Sequence, residues 1–138
     1  MSTEQLEFIK YVSKLIEYRY TNVSKEVAAF IGCQFALESK FGTSDLAVKH
    51  CNFSGMKFAR VRPRTSVAIN GSDFAHYQSI YTCICDYFLA LAFHRVETWD
   101  FENIQRFSAA IKKWYCPEKD YINKITSIYQ QFKTYKNE

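Results

Sequence analysis

The stretch SKEVAAFIGCQFALESKFGTSDLA, residues 24–47, decides the fold. Thr21, Asn22 and Ser24 offer caps for a helix, because a short polar side chain can accept from the free N–H groups of a first turn. Val27, Ile31, Gln34, Phe35 and Glu38 then recur at helical spacing on one broad face. Gly42 is the expected stop, and Thr43–Ser44 open a short helix. Glu38 continues the apolar face near the helix's C-terminal end. Burial disfavours the charged carboxylate, and so does the negative end of the helix dipole. Both raise its proton affinity, and a carboxylic acid that keeps its proton near neutral pH can serve as a general acid. The alternatives are an ion-paired Glu and one that points to solvent.

Helical periodicity extends in both directions from this stretch. Leu6, Ile9, Val12, Leu15 and Ile16 give a first helix. Met56–Tyr77 differs: FARVRPR, residues 58–64, alternates small or apolar with basic residues, and Asn70-Gly71 is a hairpin-type turn. Helical spacing returns from Ser79 with Ile80, Ile84, Tyr87, Phe88 and Leu91. A further helix is expected to start at Asp100, with Phe101, Ile104, Phe107 and Ile111 inward. Pro117 breaks the chain, and Tyr121, Ile125, Ile128 and Phe132 form the last helix. The expected fold class is mainly α (α+β), with five or six helices and a small β-lobe or hairpin around 56–78. No linker or repeat marks a boundary, so residues 1–138 are read as one domain.

Composition narrows the function. With 48% hydrophobic and 23% charged residues the chain is globular, not disordered. Only 4 Gly and 2 Pro argue against many-turned all-β folds. A net charge of +4 favours an anionic partner without by itself indicating nucleic acid. The five cysteines, Cys33, Cys51, Cys83, Cys85 and Cys116, lack framework spacing and read as reduced, mostly buried thiols. His50-Cys51, Cys83-x-Cys85, His76 and His94 have no metal-site spacing, so no metal or cofactor is expected. There is no phosphate-binding glycine loop and no nucleophile-elbow motif. A Cys–His nucleophile at Cys51 or Cys33 lacks a third, orienting group. Residues 1–10 are not a secretory signal, and no apolar run is long enough for a membrane span. The expectation is synthesis in the cytoplasm and no membrane partner. Action outside the cell would need another route, as for a phage lysis or virion protein or a delivered effector.

The pattern QFALESKFGTSDLA (34–47) followed by NFSGMK (52–57) resembles the bacterial glucosaminidases of glycoside hydrolase family 73. That family reads roughly QxALESGWGxSxLA and later NxFGIK. Gln34, Ala36, Leu37, Glu38, Ser39, Gly42, Ser44, Leu46, Ala47, Asn52, Gly55 and Lys57 fall on the pattern. FAHYQS (74–79), Asp86-Tyr87 and WYCPEKDYINKI (114–125) extend the likeness to about residue 132. The resemblance implies a lysozyme-like fold and hydrolysis of the β-1,4 bond after N-acetylglucosamine in peptidoglycan, without a cofactor. It implies Glu38 as general acid, Tyr115 as the tyrosine of the catalytic site, and Tyr121 as a cleft residue. Gln34, Ser39, Asn52, Phe53 and Lys57 are the further candidates for substrate binding. Peptidoglycan glycan strands are the expected partner and a monomer the expected state. Rival readings are a lytic transglycosylase or muramidase on the same fold, a non-catalytic wall-binding domain, and a basic nucleic-acid-binding module.

Phe41 and Met56 replace the family's Trp and Ile, and Lys40 stands where the family has Gly. Many relatives carry a Glu in the β-lobe, yet Leu46–Ser72 contains no Asp or Glu. Glycoside hydrolysis usually uses a second carboxylate, as nucleophile or as base. Asp73 is the nearest substitute, Asp45 and Glu118 are weaker ones, and attack by the substrate's own acetamido group needs none. The basic run Lys57, Arg60, Arg62 and Arg64 has no acid near it in sequence. It reads either as a solvated strand edge or as a surface for an anionic polymer.

Overall fold

Serine caps set most of the helix starts. The computed structural model describes residues 1–136. Helix α1 (Thr3–Arg19) opens on a reciprocal box between Ser2 and Gln5. The Ser24 hydroxyl accepts from the Val27 N–H at the head of α2 (Lys25–Ser39). Ser44 does the same for α3 (Asp45–His50), and Ser79 for α4 (Ile80–Phe93). Asn103 caps α5 (Ile104–Lys112), and α6 spans Tyr121–Lys136.

Two expectations need correction. The helix expected from Asp100 begins at Ile104. Thr98–Phe101 instead form one 3-10 turn, because the Asp100 carboxylate accepts from the Glu97 N–H and Asn103 supplies the cap that follows. Helix α2 ends at Ser39, ahead of Gly42. Lys40, Phe41 and Gly42 all take positive φ, at 51°, 56° and 81°, and the Phe41 N–H returns to the Ala36 carbonyl at 2.8 Å.

Helix α2 is the axis of the core. Every residue from Val27 to Ala36 is buried, which is the signature of a helix enclosed on all sides, where the sequence suggests one broad face. Helices α1, α5 and α6 pack against it. Phe30 meets Phe107 and Tyr129 edge-on, and Phe35 meets Tyr87. One hydrophobic cluster includes residues from all of α1, α2, α4, α5 and α6.

The lobe between α3 and α4 is mostly irregular. Strands β1 (Val67–Ala68) and β2 (Ala75–His76) pair antiparallel across the Asn70-Gly71 turn, with Val67 opposite His76. One isolated bridge joins Lys57 to Phe74. Arg62 reaches out of this lobe to make a two-pronged ion pair with Asp86 of α4, at 2.7 and 3.2 Å. The pair is buried, with side chains 6% and 0% exposed, and the Tyr77 hydroxyl also donates to Asp86. The basic run is thus not free of acid in space. Among the described residues no cysteine is paired; Cys33 and Cys83 are buried and the other three half-buried. No described helix is long and apolar enough to cross a membrane.

Candidate active site

Glu38 lies on the last turn of α2, half-buried, and that turn carries no basic residue. Burial raises its proton affinity above the usual carboxylate range. A hydrogen bond from Tyr121 works in the opposite direction, and the charge of Glu118 raises it further.

A directed chain of hydrogen bonds leads to this carboxyl. The Tyr87 hydroxyl donates to Gln34 Oε1 at 2.5 Å. Gln34 Nε2 donates to the Tyr121 hydroxyl oxygen at 3.0 Å, which leaves the Tyr121 proton for Glu38. Gln34 is 0% exposed, and both ends of its amide are used. Burial, with the Glu38 charge adding to it, pushes the Tyr87 and Tyr121 hydroxyls up, so they remain neutral donors. Tyr115 stacks on Tyr121 with ring centroids 5.9 Å apart, and its hydroxyl donates to the Ser54 carbonyl at 2.7 Å.

The loop after α3 closes on Glu38 from the other side. Gly55 has φ +70°, and a Cβ there would stand 2.5 Å from Glu38 Oε2. Asn52 fixes the loop: its amide nitrogen donates to the Met56 and Ala75 carbonyls, and its oxygen accepts from the Met56 N–H. Ser54 is buried against Cys83.

The fold therefore gathers Glu38, Gln34, Tyr121 and Tyr115 around one carboxyl. The other sequence candidates lie elsewhere. Ser39 is buried inside the turn after α2, where its hydroxyl donates to the Phe35 carbonyl and accepts from the Gly42 N–H. Asn52 is the buried brace just described. Phe53 packs toward Phe8 of α1, and Lys57 is exposed on its bridge to Phe74. Asp73 is exposed beside the hairpin turn, in a hollow of about 560 Å³ shared with Arg60 and residues 68–72. Glu118 is exposed ahead of α6 and ion-paired to Lys124.

Two residues that fall on the family pattern have roles the sequence does not show. Tyr87 reads as core from its helical spacing, yet it starts the chain to Glu38 from 53 residues beyond Gln34. Gly55 matches the family pattern, and its positive φ together with the approach of Glu38 explains why it is glycine. The lobe's remaining cations are displayed outward. The Arg60 and Arg64 guanidinium carbons lie 5.5 and 4.5 Å from the Phe58 ring centroid. Among the described residues no cluster of three metal-ligating side chains occurs.

Known proteins place the chain in a family and a fold. Residues 10–134 match the glucosaminidase family, described as mannosyl-glycoprotein endo-beta-N-acetylglucosaminidase. Searching the curated proteins gives no match. Among solved structures, the catalytic domain of the autolysin Auto from Listeria monocytogenes is similar. It superposes with a TM-score of 0.65 at 21% identity, over 96% of this chain and 86% of that one, a likeness of fold.

Proposed function

Because this chain belongs to the glucosaminidase family and is a glycoside hydrolase, we propose that it cuts peptidoglycan at the β-1,4 bond after N-acetylglucosamine, with Glu38 as the general acid. The carrying observation is the single half-buried carboxyl at the end of the Tyr87–Gln34–Tyr121 chain. Burial raises the proton affinity of Glu38, which favours the protonated carboxyl that can give its proton to the leaving glycosidic oxygen. The Tyr121 hydroxyl and the Gly55 backbone hold the carboxyl in one place, so that little reorganisation accompanies proton transfer. Tyr115, stacked on the buried Tyr121, offers a partly exposed flat ring next to that acid. The autolysin likeness and the exposed cations Lys57, Arg60 and Arg64 favour an anionic wall polymer over a neutral glycoprotein glycan.

A lytic transglycosylase is the second reading. It is favoured by the acid-free stretch Leu46–Ser72, since an internal hydroxyl can replace water when only one acid is present. Mass spectrometry of soluble products from purified peptidoglycan separates the two. Fragments ending in reducing N-acetylglucosamine are expected. Anhydro-muramyl ends would establish the transglycosylase reading. No release from several wall types, with cleavage of a high-mannose glycopeptide instead, would contradict peptidoglycan as substrate.

A further inference from the structure

A basic hollow opens at the far end of an aromatic run that starts at the candidate site. Tyr115, stacked on Tyr121, has its ring centroid 5.1 Å from that of Trp114. Trp114 in turn lies flat on His94, with centroids 3.8 Å apart and planes 9° from parallel. His94 is part of the hollow's wall, so three ring contacts connect the hollow to the tyrosine that bonds Glu38. The hollow, of about 400 Å³, lies between the end of α4, the 3-10 turn and α5. His94, Arg95, Trp99, Asp100, Arg106 and Lys113 line it. Its charge is one-sided, with three exposed cations against one acid, and Asp100 already accepts from the Glu97 N–H. Arg60 and Arg64 of the lobe lie over the Phe58 ring. Among the described residues Arg95, Arg106 and Lys113 have no such ring and no ion pair. Arg95 also holds φ 62° directly after α4, the position where glycine usually closes a helix. Its N–H returns to the Ala92 carbonyl and that of Val96 to Leu91, so a long cationic side chain stands there at a backbone cost.

We propose that this hollow is a subsite for the carboxylates of the peptide carried by the glycan strand, which deepens the function proposed above and rests on it. The peptide hangs from the same strand whose glycosidic bond meets Glu38. Its acids therefore keep a short, fixed reach from that bond, as the hollow does from Glu38. Two arginines suit two-pronged contact with carboxylates, and Lys113 adds a point charge. Trp99, 51% exposed, offers a flat apolar face for the short aliphatic side chains between those acids. A phosphodiester polymer attached elsewhere on the wall keeps no fixed distance from the scissile bond, which makes the peptide the better occupant. Such a subsite holds substrate and transition state alike, so its contribution falls on KM and not on kcat.

The test crosses two substrates with two proteins. Soluble glycan strands that carry their peptides, free of phosphodiester polymer, are compared with the same strands after an amidase has removed the peptides. Wild type is compared with the double variant Arg106→Gln, Lys113→Gln, whose positions are exposed on and just after α5. On peptide-bearing strands the double variant is expected to raise KM about threefold to tenfold, the loss of two exposed charge pairs, with kcat within about twofold. On bare strands the two proteins should share one KM, and wild type should lose there what the variant loses on the peptide-bearing strands. The single variant Arg106→Gln should fall between, and it carries the test if circular dichroism shows the double variant to be misfolded. The same KM for wild type and variant on peptide-bearing strands overturns the subsite, and so does an equal rise on both substrates. A variant effect that appears only on walls bearing phosphodiester polymer overturns the peptide as its occupant. Wild type inactive on both strands overturns the function on which the subsite rests.

Discussion

The two walls around Glu38 are built by different physics. On the helical side, α2, α4 and α6 bring Gln34, Tyr87 and Tyr121 into a chain whose donors and acceptors are used. Buried polar groups of this kind are costly when broken and rigid when complete. On the lobe side, regular structure amounts to two strands of two residues and one bridge. That wall is held by a few long-range pins: Asn52 on Met56 and Ala75, Arg62 on Asp86, Thr65 on the Thr82 carbonyl, and Tyr115 on Ser54. Between the pins the lobe is open, with Val61 82% and Val67 58% exposed. The hydrogen-bond chain that ends at Glu38 therefore sits on the helices, and the lobe supplies a backbone stop at Gly55 and exposed cations.

Cutting a pin should damage the lobe most. Arg62→Met leaves Asp86 buried with only Tyr77 as partner, and an unpaired buried charge costs about 3–5 kcal/mol. Urea unfolding is expected to show that loss, with near-native helicity by circular dichroism below the midpoint. An unchanged midpoint would mean that the lobe does not depend on its pin.

Gly55→Ala attacks the junction of the walls. The new Cβ meets Glu38 Oε2 and takes a positive φ, a backbone cost of order 1–3 kcal/mol. Activity is expected to fall further than stability, because the displaced group is Glu38 itself. Equal activity in the variant would separate Glu38 from the lobe.

Tyr121→Phe tests the helical wall with one atom. The Tyr121 hydrogen bond lowers the proton affinity of Glu38, so its removal raises the pKa. A general acid works while protonated. The alkaline limb of the kcat profile should therefore move to higher pH, with a lower plateau because Gln34 Nε2 loses its partner. A limb that stays in place would contradict the chain's connection to Glu38.

The smallest effect is expected at Lys40, which holds φ 51° after α2 with its side chain exposed. Lys40→Gly removes that strain and should stabilise the protein by up to about 1 kcal/mol in thermal unfolding, with activity unchanged. Destabilisation would show that the side chain contributes a contact beyond its backbone role.

What could be read from the sequence was local. Ser24, Ser44 and Ser79 announce helix starts because a cap needs only its own first turn. Asp100 misleads because a 3-10 turn has the same polar lead-in as a helix, and Asn103 three residues later is the better cap. The pattern around Glu38 identifies the family, and the hydrogen bonds to Tyr121 explain its Gln34 and Tyr121. Tyr87 and the Arg62–Asp86 pair stay hidden because their partners lie 53 and 24 residues away. Periodicity carries no signal for such contacts. The same spacing that marks Tyr87 as core is satisfied whether its hydroxyl is idle or begins a relay.

The central claim, that Glu38 protonates the leaving oxygen, is tested most directly by changing the leaving group. Glu38→Gln would be assayed on purified peptidoglycan and on an N-acetylglucosamine oligosaccharide bearing a dinitrophenyl group, which departs without a proton. The account predicts a loss of about 10²–10⁴-fold on the polymer and a rate near wild type on the activated substrate. Equal losses on both substrates, or no loss on either, would contradict it.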